Sequence, residues 1–284
     1  LVGSEMCIRD RFSIISRLEK TMESITVFTP TYNRGNIIKR LYCSLKKQTC
    51  KDFVWLVVDD GSTDSTEKLI KKWQLENEIK IEYLKQDNLG KSMAHNKAVE
   101  MTTTEIFMCL DSNDVITPNA IEMVLKCWEK VKLNENIVGI MSQKKVQFKD
   151  IKREMKVKQL PGYIKIKHDK KPGGKAFNDM YYIEKEKASD GYVETTLGEA
   201  YRKFGLKGEA MLVFRTTEVK KYQFPKIQKE KFVPEAYLYN LIDRDGKLVV
   251  LNRTLCVHRY QMDGYTFNTV SYTHLRAHET SAHL

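Results

Sequence analysis

The chain has 284 residues, of which 42% are hydrophobic and 30% are charged, and its formal net charge is +11 at pH 7. This is the composition of an ordinary soluble protein, and no apolar run approaches the roughly 18 residues that a membrane-spanning helix needs. The positive charge suits an anionic partner such as a nucleotide or a phospholipid surface, although it serves solubility equally well. The six cysteines include no Cys-x-x-Cys pair, so we expect a cytoplasmic protein. Because no apolar run is long enough to span a membrane, any membrane contact would be peripheral, at the inner face.

From Ile25 onward, strand-like apolar segments alternate with segments of helical periodicity. Strands are predicted at 25–29, 53–58, 79–85 and 105–110, and helices at 36–48, 64–74, 92–101 and 117–131. After residue 130 the pattern weakens, with strands predicted at 138–148, 155–166, 209–215 and 248–260, a loop at 169–177 and a helix within 230–247. Alternation at this spacing predicts an α/β fold with a Rossmann-like, mainly parallel central sheet flanked by helices.

The two ends of the sequence do not continue this pattern. Neither periodicity nor helix caps join residues 1–20 and 270–284 to the body, and both segments resemble translated adapter sequence. We expect these two segments to be non-native and exclude them from inferences about the fold.

Three polar clusters follow predicted strands: "PTYNR" after the first, "DDGSTDS" after the second and "DSND" after the fourth. Ligands bind at the carboxyl ends of the strands in such sheets, so we expect the clusters to meet at one rim. An unpaired buried carboxylate is costly, and a divalent cation or a nucleotide would give it a partner. Asp59 and Asp60, together with Asp111 and Asp114, would hold both ends of a nucleotide diphosphate. The alternative is helix capping, which suits Asp64 and Asp114 but does not easily account for Asp59 and Asp60.

Other classes of α/β protein fit less well. A phospho-receiver is about half as long and carries its acid pair after the first strand, and a haloacid-dehalogenase phosphatase needs Asp-x-Asp there. A nicotinamide dehydrogenase needs Gly-x-Gly-x-x-Gly after the first strand, where this sequence has "TPTYNR". We expect no nucleic-acid partner.

Four segments occur in the order and spacing of family 2 glycosyltransferases: "VFTPTYNRGNIIKRLYCSLKKQT", "FVWLVVDDGSTDSTEKLI", "NLGKSMAHNKAVE" and "LDSNDVITPNAIE". The sequence strongly resembles this inverting GT-A family over residues 24–130 and more weakly to 268. The resemblance implies a GT-A fold with a smaller acceptor-side subdomain. Residues 24–130 would bind the nucleotide sugar, and residues 131–268 would bind the acceptor and supply the catalytic base.

The resemblance also assigns roles to the donor-binding residues. Pro30, Thr31 and Tyr32 match the loop that packs on the nucleotide base, and Asp60 matches the aspartate that hydrogen-bonds to the base. In this family, the positions that match Lys91, His95 and Asn96 line the sugar-nucleotide pocket.

The resemblance further implies a metal and a base. "DSND" matches the metal motif Asp-x-Asp-Asp, so Mg²⁺ or Mn²⁺ would be held by Asp111, Asn113 and Asp114. Asn113 replaces the aspartate most often credited with coordination, and an amide oxygen ligates a hard cation without charge. Glu235 matches the catalytic base, with Glu230 as the alternative.

The substrates implied by the resemblance are a UDP-, GDP- or dTDP-sugar as donor and a glycan or lipid-linked acceptor. The reaction would be a hexosyl transfer with inversion, in the synthesis of a surface polysaccharide or a glycolipid. The alternative is a non-catalytic nucleotide-sugar-binding protein with a degenerate metal motif.

Overall fold

The computed structural model describes residues 23–147, 192–203, 209–228, 230–231 and 233–259. Several predicted features lie outside these described residues: the strand at 155–166, the loop at 169–177, the end of the family resemblance at 260–268 and the two terminal segments.

The described chain alternates strands and helices in its first part, as the periodicity predicts. The elements there are β1 (Ile25–Thr31), α1 (Gly35–Lys46), β2 (Phe53–Asp59), α2 (Thr66–Glu76), β3 (Lys80–Lys85), α3 (Lys91–Met101), β4 (Ile106–Cys109), β5 (Asp114–Ile116) and α4 (Ala120–Val131). The second part contains β6 (Ile137–Gln147), β7 (Val193–Thr195), α5 (Leu197–Arg202), β8 (Ala210–Arg215), α6 (Thr216–Lys220), α7 (Glu235–Ile242) and β9 (Lys247–Arg259).

One mixed sheet runs through both parts, with the strand order β3-β2-β1-β4-β8-β6-β9-β5 and with β7 paired to β9. Strands β3, β2, β1 and β4 are parallel, and β8 joins them antiparallel to β4. Every residue of β1 and β2 is buried, as expected for central strands covered on both faces. The predicted α/β class is confirmed, and the parts before and after residue 130 share this sheet.

An apolar layer covers each face of the sheet. One layer holds all three tryptophans, Trp55, Trp73 and Trp128, which are buried. The other layer contains Phe28 and Phe107 together with apolar residues of helices α3 and α7. The helices that begin at the rim of the sheet are therefore anchored by their apolar faces. No helix among the described residues is both long and apolar enough to cross a membrane.

Candidate functional site

The start of helix α3 joins the ends of two parallel strands. Asp60, directly after β2, accepts hydrogen bonds at Oδ1 from Leu89 N–H (2.9 Å) and from the Gln86 side-chain amide (2.8 Å). Its Oδ2 accepts from Gly90 N–H at 2.8 Å. The Asp60 carboxylate thus fixes the loop that leads into α3. This loop positions the first residue of α3 at the rim.

That first residue, Lys91, lies between two carboxylates. Its Nζ is 2.5 Å from Asp111 Oδ1 and 2.7 Å from Glu235 Oε1. All three side chains are partly exposed, at 23%, 28% and 38% of their surface, so a ligand can reach them. Burial disfavours the charged form of Lys91, but the two carboxylates outweigh it and hold the pKa of Lys91 well above its ordinary value. Burial likewise opposes ionisation of Asp111, but Lys91 and Lys144 hold its pKa well below the usual range.

A buried network lies beside this cluster. Asp114 has no exposed side-chain surface, and its Oδ1 is 2.6 Å from His258 Nδ1. Its Oδ2 is 3.0 Å from Lys144 Nζ and accepts from Asp111 N–H at 3.0 Å. Lys144 also lies 3.2 Å from Glu209. Burial lowers the pKa of Lys144, but Asp114 and Glu209 outweigh it and the pKa is well above the ordinary value. Asp114 therefore has a full set of partners and orients His258 within this network.

Asn113 faces strand β9. Its Nδ2 donates to the Arg259 carbonyl oxygen at 2.7 Å and lies 3.4 Å from His258 Nε2. The contact follows from the pairing of β5 with β9, which places Asp114 opposite His258. Because a carboxylate can only accept a hydrogen bond, Nδ1 of His258 is the atom that donates to Asp114, and Nε2 lies toward the Asn113 amide.

The donor set fits a hard divalent cation. Ligand atoms of Asp111, Asp114 and His258 all lie within 4.8 Å of one another, and so do those of Cys109, Asp111 and Glu235. The carboxylate oxygens are the ligands that suit Mg²⁺ and Mn²⁺, whereas imidazole nitrogen and the Cys109 thiol suit softer metals, so the fit rests on the carboxylates. Asp111 belongs to both groups and is the only carboxylate of the first group with exposed surface.

The two aspartates at the end of β2, Asp59 and Asp60, point to opposite faces of the sheet. Asp59 is fully buried; its Oδ1 accepts from Ser62 N–H (2.8 Å) and its Oδ2 from the Tyr83 hydroxyl (2.7 Å). Burial and then this bond raise the pKa of Tyr83 well above its ordinary value. Asp59 closes the turn after β2 in this structure, and its contact with a donor stays a prediction.

The loop expected to meet the nucleotide base follows β1. Pro30 and Thr31 are the last residues of β1, and Tyr32 beyond them is 46% exposed. The Thr31 hydroxyl is buried without a hydrogen-bond partner among the described residues. Asn33, in a left-handed conformation (φ 52°), accepts from Thr63 N–H at 2.8 Å and so joins the loops after β1 and β2. The exposed ring of Tyr32 is suited to stack on a heteroaromatic base, whereas the Thr31 hydroxyl lies below the surface.

His95 and Asn96 make contacts that the sequence does not reveal. His95 is buried among the rings of Phe28, Phe107 and Phe224, and burial, with a smaller effect of the Lys91 charge, lowers its pKa to about 3. Asn96 hydrogen-bonds to the backbone of Phe224. Their contact with a donor stays a prediction.

The two base candidates are placed differently. Glu235 is the first residue of α7 and contacts Lys91. Glu230 lies in the turn before it, where its N–H donates to the Ile227 carbonyl oxygen at 3.3 Å. The structure brings Glu235, Lys91 and Asp111 together. It also adds Lys144 and His258, which sequence reasoning missed.

Comparison with known proteins identifies the family of this chain. Residues 26–183, more than half of the chain, match the family model described as glycosyl transferase family 2. Chondroitin synthase of Escherichia coli is 30% identical over 122 residues, which cover 43% of this chain and 18% of that protein. Teichoic acid poly(glycerol phosphate) polymerase of Staphylococcus epidermidis is 33% identical over 106 residues, covering 37% of this chain and 15% of that protein. The chain spans well under half the length of these curated relatives.

Solved structures share the fold. S. aureus TarS in complex with UDP aligns with a TM-score of 0.58 at 19% identity, covering 84% of this chain and 61% of that chain. The mannosyltransferase PcManGT from Pyrobaculum calidifontis, in complex with GDP-Man and Mn²⁺, aligns with a TM-score of 0.57 at 16% identity, covering 96% and 70%. The expected GT-A fold is confirmed by these likenesses.

Proposed function

The chain belongs to glycosyl transferase family 2, and we propose that it moves a sugar from a nucleotide-diphospho-sugar to an acceptor hydroxyl with inversion. The observation that carries the proposal is the position of Lys91, between Asp111 and Glu235 at the rim of the sheet. The ammonium group of Lys91, which is suited to bind a diphosphate, thus lies beside the carboxylate of Glu235, which is suited to deprotonate an acceptor hydroxyl. The UDP complex of TarS and the GDP-Man complex of PcManGT support a nucleotide-linked donor.

Donor binding would extend along the rim from the β1 loop to Asp111. Tyr32 offers its exposed ring to the base, and the backbone of Pro30 and Thr31 positions that ring at the end of β1. Asp60 would contribute indirectly, because its carboxylate accepts hydrogen bonds from the backbone just before α3 and so positions the start of that helix. Lys91 then donates to the diphosphate, which bears the negative charge that grows as the sugar departs.

A divalent cation, Mg²⁺ or Mn²⁺, would be held by Asp111 and by His258 Nε2, with the Asn113 amide oxygen as a further ligand. When bound, such a cation stabilises charge on the leaving diphosphate. Asp114 contributes by fixing the tautomer and the orientation of His258, as carboxylates commonly do for metal-binding histidines. The amide of Asn113 has to turn, because its nitrogen now faces Arg259.

Glu235 would take the proton from the acceptor hydroxyl while that oxygen attacks the anomeric carbon opposite the diphosphate. The bond from the acceptor oxygen to the anomeric carbon forms as the bond to the diphosphate oxygen breaks, which inverts the configuration in one step. Residues 24–130 bind the donor in this scheme, and 131–268 supply the base and the acceptor site. We place the reaction, as a hexosyl transfer, in the synthesis of a surface polysaccharide or a lipid-linked glycan at the inner face of a membrane.

One observation favours a second function. Because the Asn113 nitrogen is held by the Arg259 carbonyl oxygen, the third position of the metal motif supplies neither a charge nor, as it stands, an oxygen. A protein that binds nucleotide sugars without transferring them is the alternative that this contact supports.

A donor panel separates the two functions. Release of nucleoside diphosphate from UDP-, GDP- and dTDP-sugars would be measured with and without Mn²⁺, alongside calorimetric binding of each donor. Transfer predicts turnover with at least one donor and a loss of about 10²-fold or more in Glu235→Gln at unchanged donor affinity, as removal of a general base usually costs. Glu230→Gln is the matched control and should keep its turnover. Binding of a donor without release would favour the non-catalytic function, and normal turnover of Glu235→Gln would move the base elsewhere.

A further inference from the structure

Helix α3 holds the segment that carries the proposed base. This segment, residues 224–234, leads into α7 and is here called the base-bearing segment. Asn96 donates from Nδ2 to the Phe224 carbonyl oxygen (2.8 Å) and accepts at Oδ1 from Phe224 N–H (2.9 Å). One turn earlier on α3, the Ser92 hydroxyl pairs with both the N–H and the carbonyl oxygen of Val233, each at 3.3 Å.

These contacts fix both ends of the base-bearing segment. Positions four apart lie on one face of a helix, so Ser92 and Asn96 grip the segment from the same side of α3. Phe224 is itself buried and its ring meets His95 edge-on. Between the two ends, the Lys231 backbone passes so close to Gly90 that a Cβ there would lie 2.2 Å from the Lys231 carbonyl oxygen. The path of the segment into α7 is therefore set by α3.

The same helix carries Lys91, one residue before Ser92. The separation between Lys91 and Glu235 consequently depends on how the base-bearing segment docks onto α3. Within the described part of this segment, regular pairing is limited to the single bridge between Ile227 and Glu230. Its backbone groups at Phe224 and Val233 take their partners from α3 side chains instead.

We propose that Asn96 is a positioning residue, which places Glu235 against Lys91 by binding the Phe224 backbone. Because these bonds occupy both polar atoms of its amide, this role replaces the donor contact that the family resemblance implies for Asn96. Only a side chain with a donor and an acceptor side by side makes both bonds to one backbone unit. An aspartate keeps the acceptor but sets an oxygen against the Phe224 carbonyl, and a leucine keeps the volume but makes neither bond. This inference rests on the proposed function, because it assigns Asn96 a role in presenting the proposed base.

The test compares Asn96→Leu, Asn96→Asp and Asn96→Ser with Lys97→Ala, a matched control. Lys97 is the next residue of α3 and its side chain is 42% exposed beside Glu100. Misplacement of a catalytic group by about 1 Å costs on the order of 10²-fold. We therefore expect the kcat of the three Asn96 variants to fall by about 10- to 100-fold, while the calorimetric Kd for nucleoside diphosphate stays at the wild-type value. Lys97→Ala should match the wild type in both.

A double-mutant cycle with Glu235→Gln shows whether the effect passes through the base. If Asn96 acts by placing Glu235, the Asn96→Leu change should cost little more turnover once Glu235 is glutamine. The proposal would be overturned if the turnover losses of Asn96→Leu and Glu235→Gln were fully additive. It would also be overturned if a rise in the Kd for nucleoside diphosphate accounted for the lost activity of the Asn96 variants. If Asn96→Leu does not fold, Asn96→Ser and Ser92→Ala, which removes only the Val233 bonds, carry the same cycle. Wild-type turnover in Glu235→Gln would refute the proposed base, whereas an impaired Glu235→Gln beside unimpaired Asn96 variants would refute this inference alone.

Discussion

Lys91 and Glu235 face each other across the gap between helices α3 and α7, with 2.7 Å between Nζ and Oε1. The same ammonium group lies 2.5 Å from Asp111. One cation therefore neutralises part of the charge of two carboxylates that come from different parts of the chain. A cationic ligand at this rim therefore competes with the Lys91 ammonium group for the two carboxylates, and an anionic ligand binds to that ammonium group.

Replacing Lys91 with methionine should change the binding of anions and cations in opposite directions. The change removes the charge that a diphosphate would meet, so the affinity for nucleoside diphosphate should fall by about 10-fold or more, the value of a charge-assisted hydrogen bond. It also leaves Asp111 and Glu235 without their shared cation, so Mn²⁺ should bind more tightly in the absence of nucleotide.

Calorimetry with each ligand alone measures both effects. Lys97→Met is the control, since Lys97 lies on the same helix and pairs with Glu100 at the surface. Opposite signs cannot arise from partial unfolding, which weakens both ligands together. A variant that binds nucleoside diphosphate as tightly as the wild type would remove Lys91 from the donor site.

Gly90→Ala should destabilise the protein. Gly90 precedes α3 with φ at 96°, a conformation that side chains disfavour, and its added Cβ would meet the Lys231 carbonyl oxygen at 2.2 Å. We expect a loss of about 1–3 kcal/mol in the free energy of unfolding, together with a fall in turnover because the base-bearing segment is displaced.

Gly198→Ala is the matched control for urea unfolding. Gly198 lies in α5, and the nearest atom to an added Cβ is in the Arg202 side chain at 3.2 Å, which is free to move. An alanine there should be neutral or stabilising because it is the better helix former. Equal stabilities for Gly90→Ala and Gly198→Ala would contradict the close approach of α3 to the base-bearing segment.

His95 should make the stability of the protein depend on pH. Its pKa is lowered from 6.5 to about 3 by burial and by Lys91, so the folded state keeps a neutral imidazole. The contribution of His95 is fully present above the unfolded pKa. This stabilisation is lost as pH falls, because the unfolded state binds a proton at His95 that the folded state does not bind until about pH 3.

His95→Leu should flatten this dependence. Between about pH 7 and pH 5 the wild type should lose roughly 2 kcal/mol of unfolding free energy more than the variant does. Urea unfolding at several pH values measures both slopes. Parallel slopes would mean that His95 is protonated in the folded state, and thus that it is less enclosed by the Phe28, Phe107 and Phe224 rings than the structure indicates.

The location of the site could be predicted from the sequence, because the carboxyl ends of parallel strands lie at the same edge of a sheet. Asp60 and Asp111 are 51 positions apart, yet each contacts the start of α3. The period-2 alternation of a strand also predicts that Asp59 and Asp60 point to opposite faces. Applied to the second strand, that rule would have assigned Asp59 and Asp60, both of which are buried, to different contacts without coordinates.

The partners of Asp114 could not be predicted in the same way. His258 lies 144 residues further along the chain, and it meets Asp114 only because β9 runs between β6 and β5. The pairing of β6 with β9 also shifts register three times, so Lys144 reaches the site through irregularities that hydrophobic periodicity does not encode. Long-range register of this kind is set by packing of the whole sheet, and short motifs carry no signal for it.

Asn113→Asp should strengthen metal binding and weaken the fold in the absence of metal. The carboxylate cannot donate to the Arg259 carbonyl oxygen as Nδ2 does at 2.7 Å, so the metal-free variant loses a hydrogen bond and gains a repulsion. Near His258 Nε2, however, it adds a charged oxygen ligand, and we expect Mn²⁺ to bind about 10-fold more tightly or better. The stabilisation by saturating Mn²⁺ should grow accordingly, since a ligand that binds only the folded state raises its stability.

Calorimetry and urea unfolding with and without Mn²⁺ measure these effects, with Asn113→Ala as the control that loses the hydrogen bond without gaining charge. If Asn113→Asp binds Mn²⁺ no better than the wild type, the asparagine does not limit the metal site, and Asp111 with His258 already sets its affinity.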